Sequence, residues 1–150
     1  MIWWLAFRAF AGGGPPNVMV VYNAAVPEAA DVASHYADAR SLPDGHTCGL
    51  TEIDPDLWEI PLGDYQSLIQ SPVDACLAAL PQPEEIDYLV LVRGLPYLVT
   101  VPNFKVSLSG ALAVGHATNP AGDEVLTTGQ AAGDPVAASV PNPFFVTGPC

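Results

Sequence analysis

The chain has 150 residues, half of them hydrophobic, which is enough for one domain of ordinary size with a buried core and argues against disorder over most of its length. Acidic residues outnumber basic ones by 16 to 4, and the formal charge of -12 argues against a nucleic-acid backbone as partner and against adhesion to anionic lipid. A cation or a basic partner is easier to accommodate, and solubility in a salty or extracellular setting accounts for the same imbalance.

The chain opens on MIWWLAFRAFA, followed by GGGPP. An apolar stretch of eleven residues is too short to cross a bilayer as a helix, which takes about 20, so no transmembrane span is expected. Its length and the small residues Ala9, Ala11 and Gly12 fit an export signal, although the usual positive start is missing. A hydrophobic extension packed on the domain is the alternative. Residues 1–16 are therefore set apart as a signal-like or hydrophobic extension and linker.

Asn17 to Asn23, NVMVVYN, has the β-branched, unbroken apolar character of a buried first strand. Pro27 suits the first turn of a helix, and PEAADVASHYADAR places Ala30, Val32, Ala33, Tyr36 and Ala37 on one apolar stripe. Leu42-Pro43-Asp44-Gly45 ends that helix in a turn. TCGLTEI, 47–53, reads as a short second strand, and a loop with Asp54-Pro55-Asp56 follows. From Leu62 to Leu80, the residues Tyr65, Leu68, Ile69, Val73, Cys76, Leu77 and Leu80 recur at helical spacing, and Ser71-Pro72 is the place where that helix could be interrupted.

Ile86 to Val101, IDYLVLVRGLPYLVTV, sets an arginine and a glycine inside an otherwise apolar run. The run reads as a central strand covered on both faces, and if it ends near Leu91 or Val92, Arg93 and Gly94 fall at its carboxyl edge. After a turn at Pro102-Asn103, VSLSGALAVG at 106–115 suits a short strand or helix, and the last 35 residues are mainly loop. The expected fold is a three-layer α/β domain over 17–115, its parallel sheet in the Rossmann-like or flavodoxin-like order 2-1-3. Three strands are few for two flanking helices. Either the loop-rich segment 116–150 adds further strands or the chain is a fragment of a longer protein.

Several blocks together carry a resemblance: VVYNAAVPEAADVASHYADAR, CGL, EIPLGDYQSLIQSPVDACLAAL and IDYLVLVRGLPYLV, within residues 17 to 115. The chain resembles an uncharacterised family of exported bacterial proteins, whose pattern falls here on Asn23, Glu28, Tyr36, Arg40, Pro43, Ile86, Asp87, Tyr88, Gly94 and Pro96. The resemblance implies an α/β fold, export and a longer full-length chain, but no activity. Where members commonly have glycine or a similar small residue after the arginine, this chain has Arg40-Ser41-Leu42-Pro43, and His35 stands beside Tyr36.

In the expected sheet, Asn23 and Arg93-Gly94 lie at the carboxyl ends of neighbouring strands, where a crevice opens. Arg93 could hold a carboxylate or phosphate through two hydrogen bonds, Asn23 could add a neutral donor and acceptor, and Gly94 would permit close backbone approach. The alternative for Arg93 is an ion pair with an acidic residue such as Glu28 that fixes a loop. The acidic run Glu52, Asp54, Asp56, Glu59 and Asp64 offers oxygen ligands, Asp54, Asp56 and Glu59 foremost, but it matches no calcium loop and also reads as a solvated loop with a helix start.

Cys48, Cys76 and Cys150 contain no CxxC; in an exported chain Cys48 and Cys76 could pair, with unpaired buried thiols as the alternative. Cys48 or Cys76 with His35, His46 or His116 would be the residues for nucleophilic hydrolysis, and Asp44, His46 and Cys48 imitate a metal site without a fourth ligand. No GxSxG, P-loop, HExxH or GxGxxG occurs, and no cofactor is indicated. The expectation is a binding role toward an unknown small molecule or protein; a hydrolase-like enzyme with catalytic residues partly beyond residue 150 is the alternative.

Overall fold

The computed structural model describes residues 14–101 and 104–115. The apolar segment before Gly14, the turn at Pro102-Asn103, His116, Cys150 and the rest of the loop-rich tail lie outside the described residues. Six strands and four helices run in the order β1 (Val18–Asn23), α1 (Pro27–Arg40), β2 (Thr47–Leu50), β3 (Glu59–Pro61), α2 (Leu62–Tyr65), α3 (Ser71–Ala78), β4 (Tyr88–Leu91), β5 (Leu98–Val101), β6 (Phe104–Ser107) and α4 (Leu108–Gly115) among the described residues.

Strand β1 is the axis of the molecule. It pairs in parallel with β2 on one side and β4 on the other, giving the order β2-β1-β4 and a Rossmann-like parallel sheet. Val18 to Val21 are all buried, as a strand covered on both faces requires. Alternation then divides them: Val20 packs with Ala29 and Ala33 of α1, while Met19 and Val21 enter the larger core on the opposite face.

On α1 the buried line is Ala29 and Ala33, with Tyr36 packed beside them, and Val32 is left 50 % exposed. Ala33 and Tyr36 of the expected stripe lie on this face, whereas Val32 does not and Ala29, outside the stripe, does. In a helix so rich in alanine the apolar face is weakly marked, and small side chains at 29 and 33 let the helix lie close on the sheet. The helix ends at Ser41, whose left-handed backbone (φ 53°) turns the chain so that the Leu42 N–H reaches the Ala37 carbonyl at 2.9 Å.

Helical backbone runs without a break over 62–78, with a π-turn (Gln66–Gln70) between α2 and α3. The helix is not interrupted at Ser71-Pro72; the irregularity is the π-turn just before it. A proline ring collides with the carbonyl four residues back in an α-helix; widening the preceding turn, so that Ser71 N–H reaches the Gln66 carbonyl, accommodates it. The Ser71 hydroxyl donates to the same carbonyl at 2.8 Å. Tyr65, Ile69, Val73 and Leu80 are buried, and Leu68, Cys76 and Leu77 pack against them.

The apolar run 86–101 is two strands rather than one, and they belong to different sheets. Among the described residues β4 closes one side of the β1 sheet and is an edge strand, not the expected central one. After the Arg93–Tyr97 connection, β5 pairs in parallel with β3 and antiparallel with β6, forming a second sheet, β3-β5-β6. Gly94 and Pro96 break the run between them. Residues 104–115 supply both a strand and a helix, and α4 places Leu108, Ala111 and Leu112 in the same core as Met19, Val21, Ile60 and Val99. A disulfide joins Cys48 on β2 to Cys76 on α3, their Cα atoms 5.9 Å apart.

Candidate functional site

The carboxyl ends of β1 and β4 do lie side by side, and Asn23 connects them. Its side chain is wholly buried. The amide nitrogen donates to the Ile53 carbonyl at 3.0 Å and to the Gly94 carbonyl at 2.9 Å, and the amide oxygen accepts from Ala25 N–H at 2.9 Å. Both donor hydrogens are therefore taken by backbone carbonyls. Asn23 holds three loops together: its own turn into α1, the segment after β2, and the connection after β4.

Gly94 occupies left-handed backbone (φ 97°), and a side-chain carbon there would lie 3.2 Å from Val26 Cγ2. Glycine suits this position because the chain must turn sharply while its carbonyl faces Asn23. The clamp fixes the backbone immediately after Arg93.

Arg93 itself is exposed. No ion pair to Glu28 forms, and the Arg93 side chain has no hydrogen-bonding, ionic or ring partner among the described residues. The other described cations are engaged: Lys105 binds Glu59 at 2.6 Å, and the Arg40 guanidinium lies 5.9 Å from the Tyr36 ring centre. In a chain with such an excess of carboxylates, an arginine left without one is notable for its position. It sits on the rim of an open cleft of about 440 Å³ at the end of β4, whose walls include Leu95, Pro96, Tyr97, Ser107, Leu108 and Ser109.

Ser107 and Ser109 were not anticipated as part of the site. Ser107 accepts a hydrogen bond from Gly110 N–H at 3.0 Å and caps the start of α4, and its hydroxyl lies 3.2 Å from that of Ser109. A serine directly before an apolar stretch is a helix-start signal, so the sequence did contain the cue. The partial positive charge of that helix start adds to the Arg93 side of the cleft.

The acidic run does not converge. Asp54 accepts Asp56 N–H at 3.0 Å within its own turn, whereas Glu59 belongs to β3 and turns to Thr100 and Lys105 of the second sheet. The Lys105 hydrogen bond, then that of Thr100, holds the Glu59 carboxyl below the ordinary carboxylate value. Glu52 and Asp64 are exposed. Among the described residues no three His, Cys, Asp or Glu side chains are grouped to hold a metal ion.

The disulfide removes both Cys48 and Cys76 as thiol nucleophiles or metal ligands. His46 is buried with Nδ1 2.9 Å from the Val18 carbonyl, at the amino end of the sheet and away from Arg93; His35 and Asp44 are exposed. No helix among the described residues is long and apolar enough to cross a membrane. Set beside protein-family models, curated proteins and solved structures, the chain has no match.

Proposed function

We propose that this is an exported binding protein that holds an anionic group, a carboxylate or phosphate, against Arg93 in the cleft at the carboxyl end of β4. The observation that carries the reading is that the Arg93 side chain has no partner among the described residues of a strongly acidic molecule. An arginine fork pairs with carboxylate or phosphate at two points, and every described carboxylate leaves it free to do so with a ligand. Its location agrees with the general placement of ligands outside the carboxyl ends of parallel strands. Asn23 and Gly94 contribute by fixing the backbone that presents Arg93.

Export is supported by the disulfide, since such bonds persist in oxidising compartments. The apolar opening segment and the blocks resembling an exported bacterial family point the same way. Titrating the protein with acetate, benzoate and inorganic phosphate by isothermal calorimetry tests the binding reading. At least one of these should bind, and Arg93→Gln should weaken it by about tenfold or more without changing the circular dichroism. Equal binding by both proteins would overturn it.

A further inference from the structure

We infer that the ligand is an extended peptide segment ending in a free carboxylate, which adds a strand to the outer edge of β4 and places its terminus against Arg93; this rests on the anion reading above. Strand β4 pairs with β1 on one side and, among the described residues, with no strand on the other. Its four residues, Tyr88-Leu89-Val90-Leu91, contain neither a charge nor a proline, the usual means of blocking such an edge. Strands this apolar are normally covered on both faces, yet Leu89, Val90 and Leu91 are only half-buried. An open row of backbone donors and acceptors beside such side chains is what strand addition uses.

The edge also has a wall. A groove of about 180 Å³ between β4 and α4 is lined by Leu89, Leu91, Ser109, Leu112 and Ala113 among others, and it shares Leu91 and Ser109 with the larger Arg93 cleft. The two hollows therefore adjoin, following β4 toward its carboxyl end. There Leu95, Pro96 and Leu108 form an apolar seat for a last side chain, and Arg93 supplies the opposite charge for the terminal carboxylate. A peptide seated in this way runs parallel to β4. The charge of -12 selects against further acidic residues in it, so the class is a neutral or basic chain terminus with an apolar last residue.

The probe is a labelled hexapeptide of alternating threonine and valine with leucine at its free carboxyl end, titrated into the full-length protein by fluorescence anisotropy. Its C-terminal amide and a copy N-methylated at alternate residues serve as comparisons. The free acid should bind about tenfold or more tighter than the amide, Arg93→Gln should erase that difference, and the N-methylated copy should lose binding. If the N-methylated acid binds as well as the parent and both depend on Arg93, strand addition is overturned while the anion reading stands. Binding that depends on the peptide backbone but ignores the carboxylate and Arg93 overturns both. Absence of binding overturns the inference, and β4 amides protected from hydrogen exchange in the free protein would then identify an edge that is already covered.

Discussion

Asn23 occupies the point where a small change in one side chain reaches the backbone beside Arg93. Each of its amide hydrogens meets a carbonyl from a different loop, and one of those carbonyls belongs to Gly94, next to Arg93. Replacing the amide by a carboxylate keeps the shape but turns both donors into acceptors facing acceptors. Asn23→Asp should therefore destabilise the protein by about 3 kcal/mol at neutral pH in urea unfolding, because a buried charge is left unpaired. The folded state disfavours that charge, so the loss should diminish as pH falls and the acid becomes neutral; a loss constant with pH would contradict this account. Ser41 presents the opposite case, a residue at odds with its backbone. Left-handed geometry costs an L-residue roughly 1–2 kcal/mol, and glycine gives back part of that gain through its greater freedom when unfolded. Ser41→Gly should raise stability by about 0.5–1 kcal/mol, visible as a higher thermal midpoint.

Among the elements, the second sheet supplies a pH-dependent feature. Glu59 of β3 bridges Thr100 of β5 and Lys105 of β6, so one carboxylate ties all three strands. Its folded value is lowered from the ordinary 4.5, chiefly by Lys105. A depressed carboxylate contributes stability that is present above its unfolded value and is lost as pH falls through the folded one. The difference in thermal midpoint between wild type and Glu59→Gln should thus be present at neutral pH and vanish in acid below 4.5; high salt should reduce it as well. A difference that persists in acid would mean that the glutamine disturbs packing instead. This sheet was not legible beforehand: β3 has three residues and β6 four, too few to show a period of two, and β3 meets β5 only across a long stretch of chain. The first sheet was legible, because β1 and β4 are continuous apolar segments separated by helices with clear proline starts and stops. Arg93 and Gly94 were visible for a related reason, as polar and flexible residues in an apolar run. The cleft opposite them was not, since Ser107 and Ser109 reach it through the turn from β6 into α4.

At the scale of the whole molecule, the two sheets are held by one shared core, to which β1, β2, β3, β5 and the helices over 62–78 and 108–115 all contribute. The face of β1 toward α1 has a much smaller cluster, built on Val20, Ala29, Ala33 and Val92. Stability is therefore concentrated on the side where the disulfide lies. Cys48 is almost fully buried there, and the bond fixes α3 to β2 across a sequence separation of 28 residues. Closing a loop of that length restricts the unfolded chain by an amount equivalent to about 3.5 kcal/mol in the chain-entropy model. The double variant Cys48→Ala/Cys76→Ala should lose about that much in denaturant unfolding, with a further loss from the small cavity left at position 48. The Asn23 clamp and the Arg93 rim contain neither cysteine. While the variant remains folded it should accordingly retain anion binding at wild-type strength, measured by the same calorimetry. Loss of binding in a variant that is still folded would show that the disulfide positions the rim, instead of only stabilising the core beneath it.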